Sequence, residues 1–208
     1  MAKTSSQPKP HLAWVPNALT LGRIAFIPVL IGGVLTYGTD QAFLGTTVLL
    51  TLFVLLIFTD FLDGFLARKW QVTSNFGRML DPIADKLFVA GLLITFTILT
   101  KGTWWILTPT LIIIGRDIFV SGLREHAALE GIVMPPTQLA KWKTATEMLA
   151  IAILLVWILS GQWLPISETI MSLVDNSRMI GVCLLWIAAS LSAYTGFHYA
   201  KAALKERP

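Results

Sequence analysis

Apolar residues arrive along this chain in long blocks, without the short-period alternation of a strand or a soluble amphipathic helix. Uncharged runs cover residues 24–39, 41–59, 148–167 and 179–200. A helix needs roughly 20 apolar residues to cross about 30 Å of hydrocarbon. Each block therefore reads as one membrane-spanning helix, with residues 17–22 extending the first toward the N-terminus. Two further runs are short: fourteen residues separate Lys86 from Lys101, and fourteen separate Lys101 from Arg116. To span, a third helix must begin near Leu80 and take Asp81 and Asp85 to membrane depth, and a fourth must run past Arg116 and Asp117 to about Leu123. The pattern predicts an all-α integral membrane protein of six transmembrane helices. A cytoplasmic arm, 1–16, precedes a membrane domain, 17–201, and a cytoplasmic tail, 202–208, follows it. The longest connections are expected at about 125–140 and 168–177, with no repeat and no second domain.

Composition agrees: 55% of residues are hydrophobic and 13% charged, whereas an average globular chain is about a quarter charged. So few charges cannot coat one large soluble core. Positively charged short loops stay on the cytoplasmic side. With the N-terminus inside, all sixteen Lys and Arg residues except Lys101 and Arg178 fall in or near cytoplasmic segments, which puts both termini there. Trp14, Trp70, Trp104, Trp105, Trp142 and Trp163 fall near helix ends, as an interfacial belt requires. Residues 1–16 carry neither a signal-peptide nor a transit pattern, and the one cysteine, Cys183, rules out an internal disulfide. The net charge of +4 suits an anionic membrane surface and anionic substrates. No groove-reading motif accompanies the basic residues, so nucleic acid is not an expected partner.

The charges drawn into the bilayer are where chemistry is expected. On a helix, Asp60, Asp63, Gly64 and Ala67 share one face, and Gly77, Asp81 and Asp85, spaced by four, share a face of the next. The connection between those helices is short, so the two faces can meet at the cytoplasmic edge. No other acidic residue lies between Gln41 and Lys101. A carboxylate costs about 2.5–3.5 kcal/mol at mid-bilayer, less near the interface, and like charges add repulsion. Something positive has to offset that. Mg²⁺ prefers carboxylate oxygens, and two such ions roughly 4 Å apart can share four carboxylates. The lack of Cys or His nearby argues against zinc and copper. The alternative is pairing with Arg68, Lys69, Arg78 and Lys86. Gly64 and Ala67 leave a notch and Gly77 another, either for a ligand or for close helix packing. Arg68 offers a planar fork for phosphate oxygens. Metal and arginine beside a notch point to a phosphate-bearing substrate.

The whole pattern, Asp60-x2-Asp63-Gly64-x2-Ala67-Arg68-x8-Gly77-x3-Asp81-x3-Asp85, resembles the signature of the CDP-alcohol phosphotransferase family, with no position departing from it. Eight fixed residues over twenty-six positions make a specific match. PNALTLGR at 16–23, LDPIADK at 80–86, GRDIFVSGLRE at 115–125 and KWKTATEM at 141–148 are similar to the family's members that use glycerol 3-phosphate. The resemblance leaves only the first dozen and last few residues unmatched. It implies transfer of a phosphatidyl group from CDP-diacylglycerol to the 1-hydroxyl of glycerol 3-phosphate, giving phosphatidylglycerophosphate and CMP. In its terms Asp60, Asp63 and Asp81 hold two Mg²⁺ (or Mn²⁺) ions, and Asp85 completes the cluster and serves as general base. Gly64, Ala67 and Arg68 line the CDP site, and Gly77 leaves room on its far side. A homodimer in a bacterial inner membrane is implied, with the active site at the cytoplasmic side of helices two and three.

An acceptor that carries phosphate needs further cations. Arg116, Arg124, Lys141 and Lys143, expected on helices four and five, are the candidates. Their alternatives are contact with lipid headgroups and, for Arg116, an ion pair with Asp117 or a helix-three aspartate. Asn17, Thr20 and Arg23, spaced by three on helix one, are candidates for the CDP diphosphate pocket, although Asn17 and Thr20 also suit helix capping. Other acceptors within the family are inositol phosphate, serine and phosphatidylglycerol. Among other classes, a UbiA-like prenyltransferase would space its aspartates differently, and a cation transporter would spread its carboxylates across the bilayer.

Overall fold

A computed structural model gives the fold and describes residues 14–37, 43–70, 75–131, 135, 137–160 and 168–205. Six helices follow one another: α1 (Trp14–Tyr37), α2 (Phe43–Trp70), α3 (Asn75–Leu99), α4 (Trp104–Leu129), α5 (Gln138–Ser160) and α6 (Glu168–Lys205). No strand occurs among the described residues. Five helices contain a stretch long and apolar enough to cross a membrane: Asn17–Thr36, Met79–Leu99, Trp104–Leu129, Gln138–Leu159 and Asn176–Ala203. In α2 the corresponding apolar stretch, Thr47–Asp60, is shorter. Large apolar side chains such as Val54, Phe58, Ile98, Leu111 and Phe197 lie exposed, a surface that water would penalise and lipid accepts. The chain is an integral membrane protein.

The helices outrun the apolar blocks of the sequence. α4 continues to Leu129, past the expected end near Leu123, and α5 begins at Gln138, just inside the connection expected at 125–140. Likewise α6 begins at Glu168, so the connection expected at 168–177 is helical instead. Charge marks where a helix leaves hydrocarbon, but only Gly, Pro or a competing cap ends the helix itself. ETIMSLVDNSR, residues 168–178, contains no Gly or Pro.

The chain divides into two compact units, Met1–Gly91 and Leu92–Pro208, with the boundary inside α3. In the first, α1 packs on α2. Ile27, Leu30 and Val34 form one buried stripe at steps of three and four, and Leu49, Phe53 and Leu56 form another. Phe53 stacks on Phe88 of α3 at 5.7 Å between ring centres. A Cβ on Gly33 would run into the Leu49 side chain, so its absence lets the helices approach.

In the second unit α6 packs against both α4 and α5. Ile106, Ile113, Val120 and Ala127, seven apart, are the buried seam of α4. The α3–α4 connection reverses through Lys101 and Gly102, at φ 53° and 69°, where the Gly102 amide donates to the Thr97 carbonyl at 2.8 Å. Pro109 has no amide hydrogen to give the Trp105 carbonyl. The Trp186 indole donates to that oxygen instead, at 3.0 Å, tying α6 to α4.

Candidate active site

Two side-chain constellations carry the predicted chemistry, one in each unit. In the first unit three carboxylates are held by α1. The Arg23 Nη1 is paired with Asp60 of α2 and lies 3.2 Å from Asp85 Oδ1 of α3. One helical turn earlier, the Thr20 hydroxyl donates to Asp81 Oδ1 at 3.0 Å. The steps are those of helices: Thr20 and Arg23 are three apart, and Asp81 and Asp85 four apart, so each pair points one way. Arg23 and Thr20 are buried, whereas the Asp60 and Asp85 side chains are about half exposed, at 47% and 55%. The carboxylates therefore face an accessible space from which a polar ligand can arrive.

Gly77 is buried, one turn before Asp81. Asn17 is on α1, one turn before Thr20. The side chains of Asp63, Gly64, Ala67 and Arg68 lie outside the described residues, although the backbone places all four on α2. The sequence suggested a metal or the nearby basic residues as partner of the aspartates; Arg23 forms the described ion pairs with Asp60 and Asp85, and Lys86 adds positive charge beside Asp85. The signal was available, because a lone arginine between Asn17 and Thr36, where the chain is otherwise uncharged, needs an anion.

The fit of these residues to a divalent cation can be judged from Arg23 itself. Carboxylates from two helices converge on one cationic nitrogen, so they already share a point where positive charge sits. They supply hard oxygen donors of the kind Mg²⁺ and Mn²⁺ take. Among the described residues no three His, Cys, Asp or Glu side chains form a ready-made cage. With Arg23 in place, the described carboxylates fit the cation by type and convergence.

In the second unit, Arg116, Arg124 and Lys141 line one cavity of about 540 Å³ with Val120, Thr144 and Tyr199. Arg116 Nη1 donates to Asp117 Oδ1 at 2.9 Å and Nη2 to the Thr195 hydroxyl at 3.0 Å. Its guanidinium carbon lies 5.8 Å from the Tyr199 ring centre. Gly196 makes room for the arginine stem, since a Cβ there would come within 2.9 Å of Arg116 Cγ. Tyr199 is anchored in turn, donating to the Pro135 carbonyl at 3.1 Å.

Lys143 is placed elsewhere. Its ammonium donates to both Asp117 oxygens at 2.8 Å and pairs with Glu147 at 2.6 Å, one turn along α5. Lys143 and Glu147 are almost completely buried. Asp117 thus joins Arg116 to Lys143, and two cations are balanced by two carboxylates. Sequence reasoning passed over Glu147; its signal was a carboxylate four residues after a lysine, entering an apolar run.

Comparison with known proteins bears on the same residues. The family model of CDP-alcohol phosphatidyltransferase matches residues 13–194. A protein of Cereibacter sphaeroides named CDP-diacylglycerol--glycerol-3-phosphate 3-phosphatidyltransferase is 36% identical over 213 aligned positions, covering 91% of this chain and 95% of that one. A protein of the same name from Rickettsia bellii is 40% identical over 191, covering 92% and 96%. A rice protein named cardiolipin synthase (CMP-forming) is 36% identical over 201, covering 90% of this chain and 56% of its own. The match takes in α1 to α5 and most of α6, with every aspartate, glycine and arginine of the pattern described above. By that coverage the chain belongs to the CDP-alcohol phosphatidyltransferase family.

Proposed function

We propose that this chain transfers the phosphatidyl group of CDP-diacylglycerol to the 1-hydroxyl of glycerol 3-phosphate, forming phosphatidylglycerophosphate and releasing CMP. Near full-length similarity to two proteins bearing the name of that reaction supports the overall chemistry. The structural observation that carries it is the gathering of Asp60 and Asp85 from two helices onto one cation. The reaction has to place positive charge against a diphosphate.

Asp60, Asp63, Asp81 and Asp85 would hold divalent metal, two Mg²⁺ or Mn²⁺ ions. Such ions supply neutralisation of the diphosphate and of the charge that develops on the departing CMP. Asp85 accepts the proton of the acceptor hydroxyl. The freed oxygen bonds to the phosphorus that carries diacylglycerol, and the bond from that phosphorus to the CMP oxygen breaks. The proton then passes from Asp85 to water. A positioned base contributes about 10²- to 10⁴-fold. Gly64, Ala67, Arg68 and Gly77 line the nucleotide, with Asn17, Thr20 and Arg23 along the diphosphate side.

Arg116, Arg124 and Lys141 receive the acceptor phosphate in their cavity, and Lys143 acts there through Asp117. Arg116 is the best placed, because Thr195, Asp117 and the Tyr199 ring fix its planar fork from three sides. Arg116→Gln is expected to raise the Michaelis constant for glycerol 3-phosphate by about ten-fold or more, the size of a lost charge-assisted hydrogen bond, and to leave that for CDP-diacylglycerol nearly unchanged. An unaltered acceptor constant would return Arg116 to a purely structural role.

In this reading α2 is the sixth span and both termini lie in the cytoplasm. The carboxylates stand at the cytoplasmic ends of α2 and α3 in a bacterial inner membrane, and the enzyme is a homodimer. The distribution of Lys and Arg supports the orientation. It also suits the substrates, since the acyl chains stay in hydrocarbon while cytidine and glycerol 3-phosphate come from water. The rice relative's name favours one second reading, phosphatidylglycerol as acceptor. Measuring CMP release from CDP-diacylglycerol with each acceptor in turn separates the two.

A further inference from the structure

We propose that Arg23 is a resident counter-ion of the carboxylate cluster, competing with the divalent metal for Asp60 and Asp85 and displaced from them when metal loads. The proposal rests on the metal reading given above and adds to it what the metal must replace. The Arg23 Nη1 is shared between Asp60 and Asp85 Oδ1. Its side chain is only 3% exposed, while its two anions are half open. The cation is thus the buried member and the anions are the accessible ones. A divalent ion approaching from the open side reaches the carboxylates first, and the oxygens it needs are those already engaged by the guanidinium.

Without a cation between them, Asp60 and Asp85 repel each other across the two helices. Arg23 removes that repulsion in the metal-free protein and keeps the cluster assembled. A guanidinium and a divalent ion on the same carboxylates repel in turn, and strongly so in a medium poorer than water. They cannot both keep the full contact. Thr20 behaves differently. Its hydroxyl is neutral, so its 3.0 Å bond to Asp81 Oδ1 opposes no metal and can persist as an orienting bond. One turn of α1 therefore carries a partner that stays and a partner that yields. The fork released from Asp60 and Asp85 remains one turn from Thr20, where its N–H donors can turn to the diphosphate that accompanies metal into the site.

The test is Mn²⁺ binding by the full-length, EDTA-washed protein in detergent, followed by electron paramagnetic resonance without nucleotide. Arg23→Gln is expected to bind Mn²⁺ at least about ten-fold tighter than the unaltered chain, equivalent to ~1.4 kcal/mol. Arg23→Lys, which keeps a charge, should stay close to the unaltered chain. A second readout uses the unaltered protein alone: phenylglyoxal modification of Arg23, measured by peptide mass spectrometry, should rise on Mn²⁺ saturation. Equal or weaker Mn²⁺ binding by Arg23→Gln, or modification that is unchanged or lower with Mn²⁺, would overturn the competition. Binding by the unaltered chain with no gain in Arg23→Gln removes this proposal and leaves the metal reading standing. Absence of Mn²⁺ binding from both proteins removes the two together.

Discussion

Asp85→Asn is expected to abolish turnover and to leave CDP-diacylglycerol binding partly intact, whereas Asp63→Asn loses metal and donor together. The amide at position 85 keeps the shape of the carboxylate and one acceptor oxygen, but it cannot take a proton from the acceptor hydroxyl. Loss of a base alone removes about 10²- to 10⁴-fold, and loss of a metal-ligating charge compounds it. Asp60 and Asp81 remain in Asp85→Asn, the first on Arg23 and the second on Thr20, so most of the cluster survives. The check pairs single-turnover CMP release with equilibrium binding of the donor for both variants. If both lose donor binding equally, the separation of base from metal ligands falls.

The second large effect falls on stability. Lys143→Met should destabilise the fold by about 3–5 kcal/mol, the usual cost of leaving a buried charge without its partner. Lys143 bridges Asp117 and Glu147 inside the second unit. Removing it strands Glu147, which is 1% exposed and whose Oε1 already has no hydrogen bond among the described residues. Asp117 fares better, because Arg116 still donates to it. The double variant Lys143→Met, Glu147→Leu should recover most of the loss, since a buried pair replaced by apolar side chains of similar size is often neutral. Thermal unfolding in detergent measures both. A single variant as stable as the unaltered chain, or a double variant worse than the single, would contradict the assignment.

Much of this was legible in the sequence, for identifiable reasons. Lipid demands uncharged runs, so the helices announce themselves as blocks. Helical spacing of three and four groups Thr20 with Arg23, and Asp81 with Asp85, before any fold is known. Helix ends depart from the expectation where a charge closes an apolar run: α4 runs on to Leu129 and α6 reaches back to Glu168, because those segments lack helix breakers and need only leave hydrocarbon. Counter-ions were the other gap. Arg23 is sixty-two residues from Asp85, and Lys143 is twenty-six from Asp117. No local spacing rule reports such pairs; only packing decides that Arg23 serves the aspartates and that Lys143 turns inward while Arg124 and Lys141 line the cavity.

The central claim is tested most directly by CMP release from CDP-diacylglycerol by the purified protein in detergent with Mg²⁺. The assay is run with glycerol 3-phosphate, with inositol phosphate, serine or phosphatidylglycerol in its place, with no acceptor, and with EDTA. The account predicts release that requires glycerol 3-phosphate and stops when EDTA is added. Release with one of the other acceptors and none with glycerol 3-phosphate would contradict the acceptor assignment, and release unaffected by EDTA would contradict the role given to the aspartates.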